Sequence, residues 1–420
     1  MKILIISKYA SPPKYSGVPS RLFYLSKEFI NLGHKATLLT SDSNHLASYP
    51  LTKKTFNLEK IEGVPVYWIK TKKYQKTVSI KRVVSWFDFE FKLFRLSFKK
   101  LNLYRPDVVI VSSLSIFSII YGFYLKKKLN CLLIFEIRDI WPLTMTEEGG
   151  FSKYHPLVLF IGFIEKFGYQ KSDLIVGTMP KLDLHIRNIL GYEKDFFCSP
   201  LGFNPCDHEE EIKKEKNPLL NIFPRDKFIV GYAGSMGITN ALEPLIECIK
   251  LLRKNNKIHF ILVGSGDLRE RFEKQLSDYE NVTFLKRIEQ KQVKYFLNLC
   301  DILYLSTKKS KVWNYGQSMN KIIEYMLASR PIIASYSGFP SMINEANCGR
   351  FITTDKPEEI KDAILEFFNM PPKVREEFGA RGREWIFKNR KYSQLAKEYI
   401  NKIEKLYRGK IQDAHIVETP

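Results

Sequence analysis

The chain holds 420 residues, beyond the ~250–300 at which one hydrophobic core stops growing, so two domains are expected. With 45% apolar and 26% charged residues, 22 glycines and 20 prolines, it is neither collagenous nor of low complexity. Its 66 basic against 45 acidic side chains leave a net charge of +21, which draws anions such as nucleotides, nucleic acid or an acidic bilayer but says nothing about fold.

Short β-rich apolar runs alternate with helix-like stretches. Residues 2–6 form the first, too short for a signal-peptide core. A loop with Pro12, Pro13 and Gly17 follows, then 20–32, where Leu22, Leu25, Phe29 and Leu32 recur at helical spacing. Runs 35–40 and 64–69 read as strands. Segment 70–105 is unusual: eleven Lys or Arg stand against Asp88 and Glu90, interleaved with Trp86, Phe87, Phe89, Phe91, Phe94 and Phe98. Val83, Phe87, Phe91, Phe94, Phe98 and Leu101 make one helical stripe, and Trp86, Phe89, Leu93 and Leu96 a second, about 100° away. One stripe serves a core; two mean either a helix buried on both or apolar surface suited to a membrane, with Lys81, Arg82, Trp86, Phe94, Lys99 and Lys100 as the contacts. Residues 108–125 carry no charge and just reach bilayer length, but four serines interrupt them, so a strand followed by a helix is preferred to a spanning segment. Strands at 132–136 and 174–177 complete the first series.

A polar run at 205–217 separates this from a second series at 228–233, 259–263, 282–285, 302–305 and 332–335. Strands alternating with helices predict parallel, doubly wound sheets. The expected division is a Rossmann-like domain at 1–204, a linker at 205–225, a second Rossmann-like domain at 226–385, a helix at 386–408 packing back toward the first domain, and a frayed tail at 409–420. Cys131, Cys198, Cys206, Cys248, Cys300 and Cys348 show no C-x-x-C pairing, which argues against a zinc ribbon or disulfide framework and for reduced thiols in the cytoplasm.

Ligands of doubly wound sheets sit beyond the carboxyl ends of the strands, and four loops there stand out: Gly17, Gly234 to Gly237, Gly264 to Gly266, and Ser318 to Asn320 opening a helix. Glycine lets backbone approach a phosphate, although it also simply ends strands. The dinucleotide fingerprint fails, since Arg269 stands where its third glycine belongs, so a nicotinamide cofactor is disfavoured. Lys321 and Glu324 share a helix face, suited either to a diphosphate and a ribose or to a plain surface ion pair.

The run NYGQSMNKIIEYMLASRPIIAS from Asn314 to Ser335 resembles the donor-site motif of the family 4 glycosyltransferases, retaining enzymes of the GT-B fold. Other stretches are similar in the same order: Pro12 to His34, SPLGFN from Ser199, GYAGSMG from Gly231, VGSG from Val263 and GFPSMI from Gly338. EIRDIWP from Glu136 resembles a stretch of the WbuB-like bacterial branch that builds O-antigen and capsule.

The resemblance implies two Rossmann-like domains facing across a cleft, the first on the acceptor side and the second binding the nucleotide sugar. It implies Glu324 on the ribose, backbone around Arg287 and Ile288 at the base, and Gly234, Ser235, Gly264, Gly316, Ser318, Asn320 and Lys321 around the diphosphate and sugar, with Gly17 approaching from the first domain. Arg138 takes the place of a reaction-centre histidine, with Asp139 beside it. A second glutamate usual in the family is replaced by Gly316, and 238–249 lack the usual bases, which leaves Lys321 for the diphosphate. With no Asp-x-Asp motif, a metal-independent hexosyl- or N-acetylhexosaminyltransferase without cofactor is expected. The implied partners are a nucleotide diphosphosugar, UDP-linked by preference, a lipid-linked saccharide acceptor and the anionic inner face of the cell membrane, without nucleic acid. A nucleotide-sugar epimerase of the UDP-N-acetylglucosamine 2-epimerase type and a basic nucleic-acid-binding protein are the competing readings.

Overall fold

Strands buried on both faces need unbroken apolar runs, and the ILII that follows Lys2 in β1 (Lys2–Ile6) is one. The computed structural model describes residues 1–15, 20–44, 52–74, 79–208, 218–224, 226–353 and 355–417. It divides the chain into two units, Met1–Asn204 with Lys391–Pro420, and Pro205–Arg390.

In the first unit β1 leads to α1 (Arg21–Asn31), β2 (Lys35–Ser41), β3 (Phe56–Ile61), β4 (Val64–Ile69), α2 (Ile80–Phe94), β5 (Val108–Ser112) and α3 (Ser118–Leu129). Then come β6 (Leu132–Ile137), α4 (Leu143–Glu147), α5 (Pro156–Lys171), β7 (Leu174–Gly177), α6 (Leu182–Leu190) and β8 (Phe196–Cys198). Among the described residues these strands form one sheet in the order β3-β4-β2-β1-β5-β6-β7-β8. The sheet is parallel as expected except at its edge, where β3 runs antiparallel to β4. Glu62 and Gly63, at φ +45° and +86°, make the two-residue turn that such a hairpin requires. The uncharged stretch 108–125 is a buried strand between β1 and β6 followed by a helix, and no described helix is long and apolar enough to cross a membrane.

Arg21 opens α1 and is wholly buried. Its guanidinium lies 2.5 Å from the equally buried Glu136 on β6 and donates to the Ser199 carbonyl at 2.8 Å, the Ser199 hydroxyl at 2.7 Å and the Pro200 carbonyl at 3.2 Å. Helix α1, the centre of the sheet and the segment after β8 are therefore tied at one point.

The second unit carries β9 (Phe228–Ala233), α7 (Glu243–Leu251), β10 (Ile258–Val263), α8 (Arg269–Gln275), β11 (Val282–Leu285), α9 (Gln290–Leu299), β12 (Ile302–Ser306) and α10 (Asn320–Leu327). It ends with β13 (Ile332–Ser335), α11 (Met342–Glu345), β14 (Gly349–Ile352), α12 (Pro357–Asn369) and α13 (Pro372–Asn389). Among the described residues its strands are all parallel, in the order β11-β10-β9-β12-β13-β14. Strand order reverses between β9 and β12, the point at which open sheets of this kind leave a crevice.

The closing helix α14 (Tyr392–Val417) returns to the first unit, where Tyr392 stacks on Tyr24 at 5.1 Å and Tyr399 meets Phe29 edge-on at 5.7 Å. Its limits differ from the expected 386–408. Residues 386–389 extend α13, the chain breaks at Lys391, which bridges to Phe203, and helix continues past 408 because no proline interrupts it before Val417.

Candidate functional site

In the second unit the carboxyl ends of β9 and β10 and the start of α10 converge. Tyr325 fastens them: its hydroxyl accepts from the Ala233 N–H at 3.0 Å and donates to the Ala233 carbonyl at 3.3 Å, seating α10 on β9. Gly234 follows at once, and a Cβ there would lie 2.7 Å from Lys321 Nζ. Gly264, at φ +149°, packs so closely that a Cβ would fall 1.8 Å from the Gly234 carbonyl oxygen. Arg269 closes the arrangement by donating to the carbonyls of Gly264 at 2.5 Å and Leu285 at 2.7 Å, which explains an arginine where a dinucleotide site has its third glycine.

This crowding gives a direct expectation. Gly264→Ala should destabilise the protein by about 1–3 kcal/mol from backbone strain alone and also weaken nucleotide binding, as read by thermal unfolding and calorimetry. Gly237→Ala, whose added Cβ meets only Ser235 Oγ at 3.4 Å, should leave both unchanged.

Lys321 and Glu324 do not form the surface ion pair that their spacing also allowed. Lys321 Nζ donates to Asn240 Oδ1 at 2.9 Å and the Tyr232 hydroxyl at 3.2 Å, and lies 4.6 Å over the Tyr232 ring. Burial pulls its pKa down to about 8, against the opposing pull of Glu324. Glu324 accepts from Gln290 Nε2 at 2.9 Å, and burial raises its pKa although Gln290 and Lys321 act the other way. At the helix start the N-cap residue Met319 makes no side-chain capping hydrogen bond to the first turn of α10. Just before it, Gln317 is buried with neither amide atom hydrogen-bonded, three residues before Asn320.

The structure thus gathers Gly234, Gly264, Asn320, Lys321 and Glu324. Gly316 sits at φ +103° in the same approach as the half-buried Ser318, Ser235 is exposed and accepts from the Tyr232 hydroxyl through its carbonyl at 2.6 Å, and Arg287 and Ile288 follow β11. Gly17 lies outside the described residues. Sequence reasoning missed Tyr232, Asn240 and Gln290, and pointed to Gln317 only through its backbone N–H. Only Tyr232 carried a signal, as a polar-tipped residue in an otherwise apolar strand directly before the glycine loop.

In the first unit Arg138 and Asp139 follow β6. Burial raises the Asp139 pKa, while Arg138 and Arg82 work against it. Arg82 donates to the Tyr9 hydroxyl at 3.3 Å and stacks over Trp86 at 5.2 Å. Trp86 is itself buried, donating to Tyr9 at 2.6 Å and packing edge-on against Trp141, so its assignment as a membrane contact is corrected. With Phe89, Leu93 and Leu96, Trp86 forms the core stripe. Phe94 and Lys81 are exposed, and Lys99 and Lys100 are exposed beyond the end of α2. A small pocket lined by Trp86, Ser115, Ile116, Phe117, Trp141 and Ile161 opens two residues from Asp139 along the chain.

Two buried charges lie close by. Lys8 Nζ donates to Ser85 at 3.0 Å and to Ser41 and the Ser43 carbonyl at 3.3 Å, and burial lowers its pKa to about 7. Glu90 accepts from Ser115 at 3.0 Å and Ser118 at 2.5 Å, and burial raises its pKa to about 7.

Residues 227–370 match the family model described as Glycosyl transferases group 1, so the second unit carries a glycosyltransferase group 1 domain. No curated protein matches the chain in sequence. Several solved structures are similar along nearly the whole chain. A sucrose-phosphate synthase from Thermosynechococcus elongatus gives a TM-score of 0.73 at 16% identity, covering 97% of this chain and 99% of that one. The E. coli structure described as trehalose-6-phosphate bound with UDP-2-fluoro glucose gives 0.69 at 12%, over 97% and 99%. Anabaena HepE in complex with UDP and glucose gives 0.66 at 13%, over 96% and 99%. At such identities the likeness establishes architecture alone, and that architecture is the GT-B fold of two Rossmann-like domains.

Proposed function

We propose that the protein is a retaining glycosyltransferase that moves a sugar, hexosyl or N-acetylhexosaminyl, from a nucleotide diphosphosugar to a hydroxyl of a lipid-linked saccharide in surface polysaccharide assembly. The observation that carries the donor half is the pairing of Lys321 and the uncapped start of α10 with Glu324 three residues on. An ammonium and helix N–H groups suit a diphosphate, and a carboxylate suits the two hydroxyls of a ribose. The unpartnered amide of Gln317 has both donors and an acceptor to offer sugar hydroxyls. UDP is favoured because the E. coli and Anabaena structures that share the fold hold UDP or a UDP-sugar.

In the reaction the acceptor oxygen bonds to the anomeric carbon as the bond from that carbon to phosphate oxygen breaks, and the acceptor proton passes to the departing phosphate. The protein positions the reactants and stabilises charge on the leaving diphosphate. Because Lys321 supplies that charge, turnover should survive EDTA. The acceptor half of the reading is supported by the resemblance of 136–142 to the O-antigen and capsule branch.

Hydrogen bonds to a charged group are worth roughly 1.5–3 kcal/mol, so Glu324→Ala should weaken UDP binding about ten- to a hundredfold. Calorimetry on the folded variant checks this, and unchanged affinity refutes the ribose assignment. Incubation with UDP-N-acetylglucosamine alone separates transfer from epimerisation, which needs no acceptor.

A further inference from the structure

The second apolar stripe of α2 is left outside the core. Phe91 is 60% exposed and Phe87 and Phe94 about half, although Trp86, Phe89 and Leu93 already seat the helix. The stripe continues onto two neighbouring helices. Phe94 meets Tyr124 of α3 at 5.6 Å, and Phe87 meets Phe117, which stacks on Phe160 of α5 at 5.8 Å. On α5 Phe163 is 66% exposed. Three helices from separate parts of the sequence thus present one continuous aromatic surface.

Charge around this surface has one sign. Helix α3 ends in Lys126, Lys127 and Lys128 and contains no acid. On α2, Asp88 is paired with Lys92 at 2.7 Å and Glu90 is buried. On α5, Glu165 is buried against His185. Lys81, Arg95, Lys127 and Lys128 remain, with Arg95 over the Phe91 ring and Lys128 over the Tyr124 ring. Exposed aromatics rimmed by cations with no unpaired carboxylate complement an anionic lipid surface.

We propose that the outer face of α2, α3 and α5 is the surface by which the first unit lies on an anionic bilayer. Rings at the centre enter the headgroup boundary while the flanking ammonium and guanidinium groups meet lipid phosphates. Attachment to the bilayer does not depend on the identity of the acceptor.

The test is sedimentation of the full chain with phosphatidylglycerol–phosphatidylcholine vesicles and with pure phosphatidylcholine vesicles, which reads attachment without any turnover. At low salt the wild type should sediment with the anionic vesicles only, and high salt should release most of it. Phe91→Ser with Phe163→Ser should reduce partitioning at least tenfold, and so should Lys127→Glu with Lys128→Glu. Circular dichroism and thermal unfolding should match the wild type in both variants, which shows that the first unit remains folded. Absence of wild-type binding at low salt overturns the proposal, as does binding indifferent to the Phe91 and Phe163 changes. A wild-type dimer in size exclusion that these two changes dissolve, without vesicle binding, also overturns it and makes the face a protein interface.

Discussion

Lys321→Met should cost turnover about a hundred- to a thousandfold, the range for removing a group that stabilises charge developing in the transition state. The substitution keeps most of the unbranched side chain and removes the ammonium, with its charge and its hydrogen bonds to Asn240 and Tyr232. Among residues 238–249 there is no base to take over. Lys321→Arg should not rescue, because the tip of the side chain is enclosed by Gly234, Asn240 and the Tyr232 ring, and a guanidinium is wider than an ammonium. The pH profile carries the same information. With the free-enzyme pKa near 8, the ammonium is lost as pH rises through that value, so kcat/KM should fall above pH 8. A bound diphosphate favours the charged form and should carry the corresponding limb of kcat to higher pH. Steady-state kinetics across pH checks both, and a Lys321→Met enzyme within tenfold of wild type removes Lys321 from catalysis.

Glu136→Ala should lower the stability of the first unit by about 3–5 kcal/mol, because it strands a fully buried guanidinium. In a domain of this size that corresponds to a fall in Tm of roughly 6–20 °C. The two hydrogen bonds to Ser199 and the one to Pro200 are made by the guanidinium and do not neutralise it. Replacing both partners, Arg21→Met with Glu136→Leu, should recover much of the loss, since apolar side chains of similar volume often match a buried ion pair. Denaturant unfolding of the two variants is the measurement. A loss below about 1 kcal/mol for Glu136→Ala means that the guanidinium finds another partner or water.

Most strands of both sheets are legible in the sequence because parallel strands buried on both faces are continuous apolar runs, as in 64–69, 174–177 and 332–335. The strands that escape lack that signature. FNLEKI in β3 is an edge strand with one buried residue, while β8 has three residues and GRFI in β14 opens on Gly and Arg. On α2 the periodicity gives two stripes but not their directions. Tyr9 and Trp141 decide that, and both lie far away in sequence. The donor-side residues 318–324 are readable because they are contiguous at the start of one helix, whereas Gln290 reaches Glu324 from another helix. Buried Lys8, Arg21 and Glu90 are unreadable for a related reason: composition assigns charge to the surface, and their compensating hydrogen bonds come from distant segments.

The return of α14 to the first unit sets an order of events during synthesis. Tyr392, Leu395, Ala396, Tyr399, Ile400 and Ile403 belong to the same core as Leu22, Leu25 and Phe29 of α1. When Asn204 has been made, the outer side of α1 still lacks its cover, and the whole of Pro205–Arg390 must be translated before that cover exists. At ~5–20 residues per second the delay is roughly ten to forty seconds. Throughout that interval the nascent chain carries an apolar seat with no occupant. A released chain ending at Arg390 would hold all of the second unit, which is continuous in sequence, but an unfinished first one, and the first unit would be the part that chaperones or proteases reach.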